Sequence, residues 1–344
     1  MMNDEKDLIL EVKDLHTYFK VGRREVKAVN GASFSVKRGT TLGVVGESGC
    51  GKSVTAHSVI KLLPKIAKVK TEGIIFRPEP GVEIRLDQLA DDGKEMRKIR
   101  GKEIAMIFQD PMSCLNPVYT VGDQVMENIF EHDKQISEKE AREKTITMFK
   151  KLGIPAADVR VDEYPHEFSG GMKQRVMIAL GMINNPKLLI ADEPTTALDV
   201  TIQAQILELM QEIQKEYGTT IILITHNMGI VADMADDIAV MYMGRVVEYG
   251  NRRQVFKSPT HPYTEALLKS VPVLSKGIKK RLEPIRGNTP DPSEMPVGCA
   301  FAPRCDFATE QCEKEFPPAV DIGDGHIVSC WKCQGCKGGC AHDD

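Results

Sequence analysis

No apolar run in this 344-residue chain approaches the roughly 18 residues that a membrane-spanning helix needs. The longest candidates, Ile221–Ile224 and Leu188–Ala191, have the length of buried strands. Any membrane contact is therefore expected to go through partner proteins. An apolar leader is also lacking: Met1 to Asp7 is acidic and polar, which reads as a cytosolic chain without a signal peptide. Charge of one sign is lacking too. The net charge is −4 with a pI near 6.1, and acids and bases are interspersed, which argues against a nucleic-acid surface. Cysteine is scarce through the first 298 residues, where only Cys50 and Cys114 occur. The other seven of nine cluster between Cys299 and Cys340. In a reducing compartment that clustering reads as metal binding more readily than as disulfides.

What the chain does have is Gly46-Glu47-Ser48-Gly49-Cys50-Gly51-Lys52-Ser53, a match to G-x-x-x-x-G-K-[ST]. Thr41–Val45 before it reads as a buried strand, and Ser53–Leu63 after it carries apolar residues at helical spacing. Glycines let backbone N–H groups converge on phosphate oxygens, and the helix adds its positive N-terminal end. Lys52 is placed to neutralise the β- and γ-phosphates, and the Ser53 hydroxyl to meet Mg²⁺. Gly46, Ser48, Gly49, Cys50, Gly51, Lys52, Ser53 and Val54 are the expected nucleotide-binding residues here.

The remaining parts follow in order. Leu8–Phe19 and Val26–Val36 alternate as half-buried antiparallel strands joined at Val21–Arg24. Thr71–Arg100 reads as polar and loop-rich, with one peripheral strand at Val82–Leu86. Ile104–Phe108 reads as a core strand ending in Gln109, which can reach a metal ion or a water. Val121–Gly153 is helical in pattern, with a capping box at Ser137 and Glu140. Ser169-Gly170-Gly171 precedes an apolar helix and makes a second helix N-terminus able to receive an anion. Leu188–Ala191 is a buried strand closing on Asp192, suited to Mg²⁺, and Glu193, placed to polarise an attacking water. Asp199 caps the helix Val200–Tyr217. The strand Thr220–Thr225 delivers His226 toward a γ-phosphate. A hairpin at Ile238–Tyr249 and short helices near Gln254–Lys257 and Pro262–Ser270 follow, and composition changes from Pro272 onward.

Taken together, Gly46–Ser53, Gln109, Ser169–Gly171, Asp192-Glu193, Asp199 and His226 stand in the order found in ATP-binding cassette (ABC) ATPases, which Leu8 to Gly250 resembles. Phe108–Met112, Tyr164–Met172, His261–Leu268 and Pro296–Cys305 look like the ATPase subunits of bacterial dipeptide and oligopeptide importers. Met172, where glutamine is usual in cassettes, is shared with that subgroup. The resemblance implies an α/β fold: a RecA-like parallel sheet core, an antiparallel β subdomain and a helical subdomain at about 110–170. It places this ATPase domain over 1–250 and an irregular, cysteine-rich extension over 251–344. It also implies a head-to-tail dimer, with each ATP between one subunit's phosphate loop and the other's Ser169–Gly171. Phe19 is the implied adenine-stacking aromatic, with Tyr18 second. The implied partners are two membrane permeases, a second homologous ATPase and, indirectly, an extracellular solute-binding protein, with the chain peripheral on the cytoplasmic face.

Cys299, Cys305, Cys312 and Cys330 match four cysteines of the importer extension, which in some members look to hold a [4Fe-4S] cluster. On ligand type zinc fits equally. Cys330-x₂-Cys333-x₂-Cys336-x₃-Cys340 has ferredoxin-like spacing and competes for Cys330. The metal is expected to staple an extension too irregular to build its own core. Cys50 and Cys114 are expected to be small packed residues. The alternatives for function are an importer ATPase for another solute such as nickel, a soluble cassette protein, and an iron–sulfur redox protein with a regulatory ATPase.

Overall fold

The computed structural model describes residues 7–196, 198–270 and 285–333. The acidic residues before Asp7, the composition change at Pro272, and Cys336 and Cys340 lie outside the described residues. Two sheets organise the chain. The first holds β1 (Leu8–Val21), β2 (Arg24–Lys37), β4 (Ala67–Lys70), β5 (Gly73–Phe76) and β6 (Ile84–Arg85). The second takes β3 (Thr41–Val45), β7 (Ile104–Ile107), β8 (Leu188–Asp192), β9 (Thr220–Thr225), β10 (Asp237–Tyr242), β11 (Arg245–Asn251), β12 (Val320–Asp321) and β13 (Ile327–Val328).

The order in the second sheet is β12-β13-β11-β10-β3-β9-β8-β7. From β10 to β7 every pairing is parallel. β3, β8 and β9 are buried along their whole length. That is why they read as unbroken apolar runs: parallel strands covered on both faces have no solvent side to mark with polar residues. The turn between β10 and β11 takes Met243 at φ 46° and Gly244 at φ 75°, the left-handed pair that a two-residue hairpin turn requires.

The first sheet is antiparallel. β1 pairs with β2 along one edge, and with β5 and then β4 along the other. Asp14, at φ 47°, sits where β1 passes from one partner to the next. Two sequence expectations need correction here. The stretch Thr71–Arg100 is more ordered than its polarity suggested, since Gly73–Phe76 is a fully buried strand and Lys94–Ile99 a helix. The helix after the phosphate loop is shorter than its apolar spacing suggested, Lys52–Val59, because Lys61 turns left-handed at φ 54°.

The helical insert is two helices, Val121–His132 and Glu138–Lys151, the second started by the expected Ser137/Glu140 capping box. They pack with the helix Gly170–Met182 in one apolar cluster that continues into β8 and β9 through Leu189, Ala191, Ile221 and Leu223. Gly122 is forced by this packing, because a Cβ there would stand 2.3 Å from the Val161 carbonyl oxygen.

The extension borrows the core of the ATPase domain instead of building one. β13 pairs with β11, Glu248 against Val328 and Tyr249 against Ile327, so the tail adds two strands to the main sheet. Ala300 and Phe301 join a cluster with Val45, Val240, Tyr242 and Tyr263. The rings of Tyr242 and Tyr263 lie 4.6 Å apart, and Phe301 meets each at 5.4 Å. Burial of these aromatics contributes roughly 1.5–3 kcal/mol for each large side chain toward docking the tail.

Buried polar groups fasten the same seam. Glu248 is 1 % exposed and accepts from the amides of Thr260 and His261, both at 2.9 Å, and meets His326 Nε2 at 2.8 Å. His261 Nδ1 caps the helix Pro262–Lys269 by accepting from the Tyr263 amide. Burial pushes the His261 imidazolium down to about 4, against the opposing pull of Glu248. The unfolded chain binds this proton near 6.5, so the folded-state value is depressed. Stability conferred by neutral His261 is therefore full above about 6.5 and is lost as pH falls from there toward about 4. Thermal melts from pH 7 to 5 are expected to fall more steeply for the native chain than for His261→Asn, which keeps a capping acceptor but no titrating ring. Parallel slopes for the two would refute this.

Candidate nucleotide site

Register decides what meets at the carboxyl edge of the parallel sheet. Val44 stands opposite Ile224, and Ile224 opposite Asp192. Ala191 in turn stands opposite Ile107, so the residues following β3, β9, β8 and β7 emerge at one level. Gly46, His226, Asp192-Glu193 and Gln109 are those residues, and such an edge is where open α/β sheets bind ligands.

The phosphate loop is held by glycine in places only glycine fits. Gly46 has φ 156°, and a Cβ on it would lie 2.2 Å from the Met241 carbonyl oxygen and 2.7 Å from Cys50 Sγ. Gly51, at φ 102°, would put a Cβ 2.3 Å from the Ala28 carbonyl oxygen. Lys52 is buried and its ammonium bonds the carbonyls of Gly46 at 2.8 Å and Glu47 at 3.1 Å. It thus closes on its own loop, pointing where a phosphate would be received. Val54 is half-buried against the core, and Cys50 is packed beside the loop as expected, with burial pushing its thiol up. Cys114 differs from expectation: it is exposed, at the end of a one-turn helix Pro111–Cys114 that gives it no core to enter.

The two acids have opposite environments. Ser53 Oγ donates to Asp192 Oδ1 at 3.1 Å. Asp192 is 2 % exposed, and burial raises its carboxyl above the ordinary aspartate range despite that bond. Burial also pushes Glu193 up, but hydrogen bonds with His226 and Thr196 outweigh it and the carboxyl ends below its ordinary range. His226 Nδ1 lies 3.1 Å from Glu193 Oε1; Gln109 Nε2 and Thr196 Oγ1 donate to Oε2 at 3.0 and 2.8 Å. Glu193 itself sits at φ 46°, a left-handed backbone that non-glycine residues rarely adopt, held by its amide donating to the Ile224 carbonyl. A carboxylate aimed by three side chains, next to a buried one, suits a water-polarising group beside a cation ligand.

Phe19 and Thr17 share a face of β1 by period-two alternation, and Thr17 Oγ1 bonds Ser58 of the helix Lys52–Val59 at 2.7 Å. Phe19 is half-buried on that face, whereas the Tyr18 hydroxyl is engaged by Asn30 at 2.8 Å and His16 at 2.9 Å. Ser169 and Gly170 are exposed; Ser169 Oγ accepts from Met172 N at 3.4 Å, so this helix start is formed and open to solvent. Gly171 is packed against Ile202, where a Cβ would come within 2.9 Å. Asp199 is exposed and caps the helix Val200–Tyr217 by accepting from Ile202 N at 3.0 Å. Lys52, Ser53, Asp192, Glu193, Gln109 and His226 are brought together; Ser169, Gly170 and Asp199 lie on the solvent side of the helical elements. Sequence reading missed Thr196, though its place three residues after Glu193 is a turn spacing that carries the signal. It also missed Arg304 and Tyr263, which reach the loop from the tail and leave no local pattern.

The expected metal centre is not assembled as a single-ion site. Among the described residues no three His, Cys, Asp or Glu side chains stand close enough to hold one metal ion. Four thiolates on a zinc ion would lie about 3.8 Å apart, given Zn–S bonds of about 2.3 Å in a tetrahedron. Cys299, Cys305, Cys312 and Cys330 line one cavity of about 300 Å³. Burial pushes the Cys299 thiol up to about 11, whereas a hydrogen bond with Cys333 brings Cys330 down to about 7.

A phosphate loop, a strand-end Asp-Glu pair, a strand-end His and an anion-ready Ser-Gly-Gly on a helical insert define an ATP-binding cassette ATPase. The ABC transporter family profile matches residues 29–196, and that of the oligopeptide/dipeptide transporter C-terminal region matches residues 247–312. The dipeptide transport ATP-binding protein DppD of Bacillus subtilis is 49 % identical over 324 residues, covering 94 % of each chain. The oligopeptide transport ATP-binding protein OppD of the same organism is 48 % identical, covering 94 % of this chain and 88 % of its own. A dimeric post-hydrolysis structure of the cassette MJ0796 bound to ADP and Pi superposes with a TM-score of 0.60 at 27 % identity, over 71 % of this chain and 99 % of that one. The chain belongs to the ABC family of peptide-import ATP-binding proteins, and it is an ATPase.

Gly46→Ala is expected to abolish ATP binding, because its Cβ meets backbone. Gly49→Ala, with open space around φ 79°, should cost only the left-handed strain of about 1–2 kcal/mol. Calorimetric titration with MgATP checks both, and equal losses would contradict the packing argument.

Proposed function

We propose that this chain powers uptake of dipeptides or oligopeptides through separate membrane permeases, binding to their cytoplasmic face as a peripheral subunit. The observation that carries the reading is the tail: the match at 247–312 is to the C-terminal region of oligopeptide/dipeptide transporters, and the chain spans nearly the whole length of the peptide-import relatives. No helix among the described residues is long and apolar enough to cross a membrane, which agrees with a motor acting through partners. Those partners are two permeases and a second homologous ATPase, with an extracellular solute-binding protein delivering the peptide.

In this reading Phe19 stacks on adenine, and Gly46, Ser48, Gly49, Cys50, Gly51 and Val54 shape the phosphate cradle. Lys52 turns from the Gly46 and Glu47 carbonyls onto the β- and γ-phosphates. Ser53, Gln109 and Asp192 hold Mg²⁺, which neutralises charge on the phosphates when bound. Glu193 takes a proton from the attacking water, and His226 keeps Glu193 aimed and meets the γ-phosphate. Ser169, Gly170, Gly171 and Asp199 serve the ATP of the partner cassette, which fits the exposed positions of Ser169, Gly170 and Asp199. Each cassette alone therefore has half a site, and hydrolysis requires closure of two.

The cysteine cavity belongs to the same proposal. An iron–sulfur cluster is larger than a single ion and takes four thiolates spread around it, which suits four cysteines lining one cavity better than zinc does. Cys299, Cys305, Cys312 and Cys330 would hold it. The cluster would lock the turns that carry them.

Two measurements test this. Glu193→Gln should bind MgATP and accumulate as a closed dimer with its partner ATPase, while turnover falls by about 10²–10⁴. Near-normal steady-state hydrolysis would remove Glu193 from its role. Protein purified without oxygen should carry about four irons per chain, lost in Cys305→Ser. Stoichiometric zinc in a colourless protein would overturn the cluster.

A further inference from the structure

Glu47 sets a problem for an anion site. It is the second residue of the phosphate loop, and a carboxylate beside a phosphate cradle opposes the positive potential the loop exists to supply. All three of its polar groups are engaged. Its carbonyl accepts from Lys52 Nζ at 3.1 Å. Its amide donates to the Tyr263 hydroxyl at 2.9 Å, and its carboxylate takes a two-pronged grip from Arg304, Nη1 to Oε2 at 2.7 Å and Nη2 to Oε1 at 3.0 Å. Tyr263 and Arg304 both come from the tail.

Arg304 is itself pre-set. Its side chain is 4 % exposed, its Nε donates to the Arg286 carbonyl at 2.8 Å, and Nη1 reaches the Tyr242 hydroxyl at 3.2 Å. Its guanidinium lies 5.8 Å from the ring centres of both Tyr242 and Phe301. A planar fork so held has little rotamer freedom left to lose and can bind a carboxylate in only one orientation.

We propose that Arg304 is a positioning residue for ATP binding: it neutralises Glu47 and draws that carboxylate out of the phosphate cradle, with Tyr263 fixing the adjoining amide, so that the C-terminal extension sets the ATP affinity of the loop. The proposal rests on Gly46–Ser53 being the nucleotide site. Its charge logic separates it from simple stapling of the tail. A staple is damaged by losing either partner. A neutralising partner is needed only while the carboxylate is there.

The test is equilibrium binding of MgATP to the purified full-length chain, with thermal melts alongside. Arg304→Met is expected to weaken binding about tenfold, equivalent to about 1.4 kcal/mol. Glu47→Gln added to Arg304→Met should restore binding to within about threefold of the native value. Glu47→Gln alone should weaken it by no more than about twofold. Arg304→Met binding ATP as the native chain does, or a loss that Glu47→Gln fails to restore, would overturn the proposal. If Arg304→Met does not fold, the Glu47→Gln single variant decides: a loss of tenfold or more means the ion pair only holds the loop together, and the proposal falls. Lys52→Ala frames the series, because equal ATP binding by Lys52→Ala and the native chain would sink the nucleotide-site reading itself.

Discussion

Everything in the site depends on the in-register parallel pairing of β3 with β9, β9 with β8, and β8 with β7. A parallel sheet ends its strands at a common edge, so four segments far apart in the chain deliver their next residues to one line. Slipping β8 by one residue would turn Asp192 and Glu193 to opposite faces and break the contact with Ser53.

Against this rigid edge, the groups that must respond to ligand are held by replaceable bonds. Lys52 bonds two carbonyls of its own loop, and Gln109 and His226 both lean on Glu193. Each of these contacts is a single hydrogen bond that a phosphate oxygen, a cation or a water can replace. The left-handed backbone at Glu193 is local strain that the surrounding sheet over-determines. The exposed Ser169–Gly170 pair is the counterpart: it is formed but faces outward, open to a group from outside the chain.

The tail changes how the chain divides. Its strands extend the main sheet, its aromatics complete a core cluster beneath the phosphate loop, and Arg304 and Tyr263 reach Glu47. The profile for peptide-transporter tails begins at residue 247, inside β11, where the tail physically joins the sheet. A metal on the cysteine cavity would therefore tighten an extension already docked.

Local chemistry was legible in the sequence alone. Gly46–Ser53, the Asp192-Glu193 strand end, Ser137 with Glu140, and the buried runs of β3, β8 and β9 each carry their meaning within a few residues, because loop, cap and strand preferences act at that range. Only the tertiary structure decided what crosses long stretches of chain: Ser53 on Asp192, Gln109 and His226 on Glu193, β13 on β11, and Arg304 on Glu47 across 257 residues. It also decided that Cys299, Cys305, Cys312 and Cys330 line one cavity, since thiols leave no periodic pattern and converge only where packing or a cation brings them. Contacts of that kind depend on register and packing, which a linear pattern does not encode.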